Sequence, residues 1–259
     1  MCGRYASSRR PEDLVEEFEI DKVEVTESLQ ADYNVAPTKP VYAVLERAPR
    51  EEDPAAGPER QLRSLTWGLV PFWAKDPSIG NKMINARMET VHEKPAYRRA
   101  FTSRRCLLPA DGYFEWYPTD QRTKAGRPMK QPFFIHPHDG GVLAMAGLYE
   151  IWRDPTRDED DPARFRWTCT VLTTRAEDSV GHIHDRMPLL VEPARYDAWL
   201  DPASGDVEDL KRLLVPAAPG RLEAYPVSTA VNNVRNNGPE LLDPLASEPA
   251  ARADGGVSR

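Results

Sequence analysis

Cysteine is scarce in this chain. Cys2, Cys106 and Cys169 are the three in 259 residues, odd in number and far apart. That argues against a disulfide framework and a cysteine-rich zinc site, and leaves each thiol free. No apolar run approaches the ~20 residues a membrane-spanning helix needs. The opening MCGRYASSRR lacks the apolar stretch of a signal peptide, and neither a myristoylation start nor a prenylation motif is present. A cytoplasmic protein with no membrane partner is therefore expected. There is no GxxxxGKS/T or GxGxxG loop and no internal repeat, so no nucleotide cofactor is expected. Positive charge is in the minority, and the net charge is −7. Taken alone, this weighs against a nucleic-acid partner.

The acidity is uneven, however. Acids crowd two Pro-rich stretches, 46–60 and 153–165, which read as exposed loops. Between Arg98 and Arg105 four arginines (98, 99, 104 and 105) stand without an acid. A basic groove on an acidic protein is possible, because a DNA strand senses the local potential.

PEDLVEEFEI at 11–20 has Leu14, Val15 and Phe18 on one helical face, with Pro11 suited to the first turn. Strand patterns are found at 41–46, 62–70, 105–109, 113–117, 132–136, 142–152, 166–174, 187–191 and 222–227. Helices are expected at 193–200 and 206–214. Short strands dominate, and the few helices do not alternate with them. An α+β fold follows, a single domain over 2–243 with a mainly antiparallel, barrel-like sheet and few peripheral helices. The Ala-, Gly- and Pro-rich tail, 244–259, is expected to be disordered.

Several segments could carry chemistry. Removal of Met1 would leave Cys2 with a free α-amine beside its thiol. Their reference pKa values, about 7.7–8.0 and 8.5, give both a reactive form near neutral pH. Such a pair suits an aldehyde: the amine forms a Schiff base, and the thiol closes a five-membered thiazolidine on the same carbon. Glu115 stands in an aromatic strand, YFEWY, where burial would raise its pKa and fit it for acid–base work; a solvent-facing glutamate is the plain alternative. His182 and His184 in GHIHDRMP could share a metal if extended, but the remaining ligands have no evident source, so no metal is expected. An acid–base histidine fits better. Asn85 and Arg87 could bind a sugar hydroxyl and a phosphate. Trp67, Phe72 and Trp73 could stack on unpaired bases or belong to the core. The turns around Asn34 and Asn233 suit phosphate contacts or plain loops.

Taken in order, CGRY at 2–5, YNVAPT at 33–38, WGLVPFW at 67–73, INARMET at 84–90, RRCLLPADGYFEWY at 104–117, HDRMP at 184–188 and VNNVRNNG at 231–238 resemble the SRAP family. These SOS response-associated peptidase-like proteins crosslink to abasic DNA. The resemblance implies a β-rich α+β pseudo-barrel. It implies that Cys2 is the crosslinking nucleophile, that Asn85 positions the opened sugar, that Glu115 is the catalytic glutamate, and that His184 promotes opening of the deoxyribose ring. Arg87 and Arg186 resemble the family's phosphate-binding arginines, Arg4 and Asn34 fall in the DNA groove, and Trp67 with Phe72 or Trp73 resembles a wedge beside the lesion. The implied partner is single-stranded DNA carrying an abasic site, met in the nucleoid by a monomer without metal or cofactor. Lyase activity and self-catalysed loss of Met1 are also implied. Glu177 departs from the asparagine many relatives carry after Ala176. The tail lacks a sliding-clamp motif. Two rival readings remain open at this point: an autoprocessing cysteine peptidase with His184 as base, and a non-covalent binder of single-stranded DNA.

Overall fold

A computed structural model describes residues 2–47, 57–176 and 179–246. Among the described residues, thirteen strands and four α-helices follow one another. The first part holds β1 (Tyr5–Ser7), α1 (Pro11–Glu17), β2 (Lys22–Glu24), β3 (Asp32–Val35), β4 (Pro40–Arg47) and β5 (Glu59–Trp67). The middle holds β6 (Asn85–Arg87), α2 (Arg98–Ser103), β7 (Arg105–Ala110), β8 (Gly112–Arg122), β9 (Pro128–Pro137) and β10 (Leu143–Arg153). The last part holds β11 (Phe165–Arg175), β12 (Arg186–Pro188), α3 (Tyr196–Leu200), α4 (Val207–Leu213) and β13 (Leu222–Pro226).

Strands β4, β7, β10 and β11 pair antiparallel in turn from β5, and β11 returns to β5 in parallel at Thr168–Thr66 and Cys169–Trp67. The ring closes into a five-stranded barrel, which removes the open edges a flat sheet would leave. Alternate residues of these strands fill it, among them Leu45, Leu65, Cys106, Leu108, Met145, Cys169 and Val171. A second sheet, in the order β13-β9-β8-β1-β3, packs beside it. The fold is thus the expected α+β arrangement. Among the described residues, no helix is long and apolar enough to cross a membrane.

Each strand and helix expected from pattern has a counterpart. Four short strands (β1, β2, β3 and β6) and helix α2 had no such expectation. Three or four residues carry too little periodicity to read; pairing partners, not their own pattern, make them strands. The reading of 62–70 as one strand is corrected at its end. At Gly68 φ is +134°, and the chain turns away because Gly68 and Gly80 meet backbone to backbone. A Cβ on Gly68 would stand 2.7 Å from the Gly80 carbonyl oxygen. The acidic loop reading for 46–60 falls partly outside the described residues, as do the tail from 247 and Glu177.

The arginine run is also corrected. Arg105 is buried and donates to the carbonyls of Trp199 (2.7 Å), Phe101 (2.9 Å), Ser204 (3.0 Å) and Asp201. Arg104 pairs with the buried Glu150. Only Arg98 and Arg99 of the four are exposed. Sequence alone could not separate the pair that knots α2 and α3 to the barrel from the pair that faces outward.

Candidate active site

The amino terminus enters the second sheet through β1. Tyr5 lies opposite Tyr113 and Ala6 opposite Gly112 in an antiparallel register, and the Phe114 amide donates to the Arg4 carbonyl at 2.9 Å. One step further along, this register brings Cys2 and Gly3 beside Glu115. Cys2 is fully buried, and its thiol leans on the Arg4 carbonyl at 3.9 Å. Burial, reinforced by the Glu115 charge, pushes the thiol well above its ordinary pKa.

Asn85 meets it from the other side. The parallel pairing of β6 with β11 sets Asn85 opposite Val171 and Arg87 opposite Thr173. From there the Asn85 Nδ2 donates to the Cys2 carbonyl at 2.7 Å. Its Oδ1 is buried and has no hydrogen-bond partner among the described residues. A buried acceptor left in that state can take a hydrogen bond from a donor such as a hydroxyl.

Glu115 is 4% exposed. Burial pushes its carboxyl up to about 7, with Lys130 pulling it down and Asp185 pushing it up. A carboxyl balanced at neutral pH can both take and give a proton. Strand alternation sets Glu115 on one face with Tyr113 and Tyr117; Tyr113 and Glu115 are buried there, and Tyr117 is exposed.

His184 precedes β12 and is half-buried. Burial lowers its pKa. The Arg186 amide donates to its Nδ1 at 3.0 Å. Asp185 Oδ1 lies 3.1 Å from the same nitrogen and would favour a proton there. The amide is fixed in the backbone, whereas Asp185 is largely exposed, so the amide decides. The neutral ring then carries its proton on Nε2. Lys130 and Asp185 act electrostatically on both Glu115 and His184, which puts the two in one neighbourhood.

Three arginines gather next to them. Arg175 and Arg186 pair across β11 and β12, and with Arg87, Ala176, Gly181 and Asp185 they line a depression of about 510 Å³. Arg186 is held in place by Glu89 (2.6 and 3.0 Å) and by the Thr173 carbonyl (2.6 Å); Arg87 and Arg175 are exposed. Arg175 was missed in the sequence, where TTRAE gave no sign that this strand end faces HDRMP. The charge here is opposite to that of another depression, of about 610 Å³, lined by Glu19, Asp21, Glu46, Asp197 and Asp201 around Arg60. A polyanion would be repelled from that one.

Three expectations change. Trp67 is 0% exposed, packs edge-on against Tyr5 at 5.1 Å and donates its Nε1 to the Ile84 carbonyl; it is core and offers no face to a base. Phe72 and Trp73, each 48% exposed, do stand out, on a turn tied down by the bond from the Phe72 amide to Glu150 (3.2 Å) and by Trp152 Nε1 to the Ala74 carbonyl (2.7 Å). Asn34 is wholly buried. It accepts from Arg4 at 2.7 Å and donates to the carbonyls of Val231, Asn233 and Asn236 at 3.3, 3.1 and 2.9 Å. It is a clasp between β3 and the 231–236 segment, not a phosphate contact. Arg4 belongs to the same clasp through the Val231 carbonyl at 2.9 Å. Replacing Asn34 with Ala takes the donor from the Asn233 and Asn236 carbonyls and one acceptor from Arg4, while Val231 keeps its bond from Arg4, and the expected cost is about 3 kcal/mol. Thermal unfolding should fall by roughly 6–12 °C; an unchanged Tm would refute the clasp.

The sequence model of one family, SOS response associated peptidase (SRAP), matches residues 1–234. Abasic site processing protein YoqW of Bacillus subtilis is 38% identical, over 94% of this chain and 99% of that protein. Abasic site processing protein YedK of Escherichia coli is 32% identical, over 95% and 100% respectively. Abasic site processing protein HMCES of Gallus gallus is 34% identical over 82% of this chain and 66% of its own length. A solved structure from Bacteroides thetaiotaomicron superposes with a TM-score of 0.74 at 22% identity, covering 95% of this chain and all of that one, which speaks for the fold alone.

Proposed function

Because the chain belongs to the SOS response associated peptidase family, we propose that it processes abasic sites in DNA, by bonding Cys2 covalently to the opened sugar in single-stranded DNA. The observation that carries this is the meeting of Cys2 with Asn85 and Glu115: a two-nucleophile residue held between an amide with an unpartnered oxygen and a carboxyl poised near 7. Loss of Met1 creates the amine, and in this reading Glu115 and His184 also assist hydrolysis of that peptide bond.

The abasic sugar rests as a closed hemiacetal. His184 Nε2–H promotes its opening, with Asn85 Oδ1 accepting from a sugar hydroxyl. The Cys2 amine attacks the C1′ aldehyde, water leaves, and an imine remains. The thiol then adds to the imine carbon while its proton passes, through Glu115, to the nitrogen. The raised thiol pKa is tolerable here because the sulfur is already joined to the amine that holds the carbon; ring closure needs no freely diffusing thiolate. The imine also permits elimination of the 3′ phosphate, hence some lyase activity. Arg87, Arg175 and Arg186 take the flanking phosphates, and Phe72 and Trp73 stack on the neighbouring unpaired base. The peptidase reading is weaker: a cysteine turning over peptides needs an exposed, lowered thiol, and Cys2 is the reverse.

Mass-verified protein lacking Met1, mixed with a single-stranded oligonucleotide carrying one abasic site, is expected to give a heat-stable shifted band on a denaturing gel. A tetrahydrofuran analogue, which has no aldehyde, should give none. Equal bands with both, or none with the true abasic site, would overturn the covalent reading.

A further inference from the structure

The strands β8 and β9 run well past the body of the protein. Their inner halves are buried, and their outer halves, from Trp116 to Gln131, are largely exposed. This arm carries Arg122, Lys124, Arg127 and Lys130 against one acid, Asp120, on a chain whose net charge is −7. It starts at the candidate site. Tyr117 follows Glu115 by two residues, so the two lie about 7 Å apart along the strand. The Phe133 ring, on the residue that pairs with Glu115, meets Tyr117 edge-on at 6.4 Å. Tyr117 is nevertheless 42% exposed. Across from it stands the ring of the exposed His182 at 6.5 Å. Nothing in the mechanism uses Tyr117, His182 or the arm's cations.

We propose that this arm is a second DNA-binding subsite, in which Tyr117 and His182 hold the base of a nucleotide flanking the lesion and Lys124, Arg127 and Lys130 follow the phosphates beyond it. The inference rests on the reading of the chain as a DNA-processing protein, and it names the surface along which one flank of the strand leaves the site. The occupant is a polyanion with flat rings. Cations spaced along an exposed ribbon match a phosphate backbone, and a half-exposed ring beside an imidazole matches a base. Arg122 serves the arm itself, donating to the Gly126 carbonyl at 2.9 Å, and so is left out of the contact set. Lys130 reaches back electrostatically to Glu115 and His184, which ties the subsite to the chemistry.

The test uses the Cys2→Ala protein, so that only reversible binding to a fluorescent single-stranded oligonucleotide is read. Tyr117→Ala should weaken binding about tenfold. Neutralising Lys124, Arg127 and Lys130 to Gln should reduce the slope of log affinity against log salt by about 2, from roughly 0.7 per lost phosphate contact. In the Cys2-containing protein, a Lys124→Gln, Arg127→Gln double variant, which leaves Lys130 and its influence on Glu115 and His184 in place, should need more DNA for half-maximal crosslinking when the oligonucleotide extends to one side of the lesion, and be unaffected when it extends to the other. Unchanged affinity and slope in variants with an unchanged circular dichroism spectrum would overturn the subsite. So would equal losses with both one-sided oligonucleotides. A protein that binds DNA through the arm but never crosslinks would keep the subsite and defeat the covalent reading instead.

Discussion

Cys2→Ala should lower the yield of heat-stable complex with an abasic oligonucleotide by about a hundredfold or more, yet leave an adduct that borohydride can trap. The variant keeps its α-amine once Met1 is removed, so the imine still forms. It loses the sulfur that converts the imine to a ring. An intramolecular nucleophile on the adjacent carbon competes with water at effective concentrations of 10⁵ M or more, so its removal leaves an adduct that hydrolyses during heating. Cys2→Ser should fall between the two, since oxygen closes a less stable ring. Two results would count against the scheme. An undiminished heat-stable band from Cys2→Ala would put the bond on another residue. A variant with no trappable adduct, although folded and processed, would mean that the amine is not the first nucleophile.

Glu115→Gln should make the protein more stable at pH 8 while making it at least about a hundredfold slower at forming the adduct. The carboxyl is raised from 4.5 to about 7 by burial, so the folded protein holds its proton over a pH range in which the unfolded chain releases it. The favourable contribution is complete below about 4.5 and is lost as pH rises to about 7. The difference between those limits is about 3 kcal/mol at 1.36 kcal/mol per pKa unit. Glutamine keeps the shape without the charge, though its amide must itself be solvated in the same place. A rise of at least about 4 °C in Tm at pH 8, vanishing below pH 4.5, is the expected signature. Equal Tm at both pH values would show that Glu115 is not held against its own ionisation. A residue that costs stability and speeds a reaction is the usual trade at a working site.

The sequence made these residues legible to different degrees. Strands β7 to β11 could be read because each is long enough for alternation to show. Glu115 stood out because an acid within YFEWY is chemically out of place, and the structure makes that place interior. Trp67 and Asn34 misled for a shared reason. Aromatic and amide side chains serve a core or a ligand equally well, and only the neighbours decide. For Trp67 those neighbours are Tyr5 and Ile84; for Asn34 they are carbonyls some two hundred residues away. Arg175 lay hidden because its importance comes from the β11–β12 register, which no local pattern encodes. Arg105 is the converse: a charge that pattern assigns to the surface and that four carbonyls draw inside.

The clasp that ties Arg4 and Asn34 to Val231, Asn233 and Asn236 has a consequence in time. The amino terminus leaves the ribosome first, but its seat is finished only when residue 236 has been made. In between, a bare cysteine with a free amine would react with any aldehyde in the cell. If the finished fold itself removes Met1, that methionine acts as a protecting group through synthesis. On that condition it would come off only when the chain has closed on itself, and a stalled or truncated product would never become reactive.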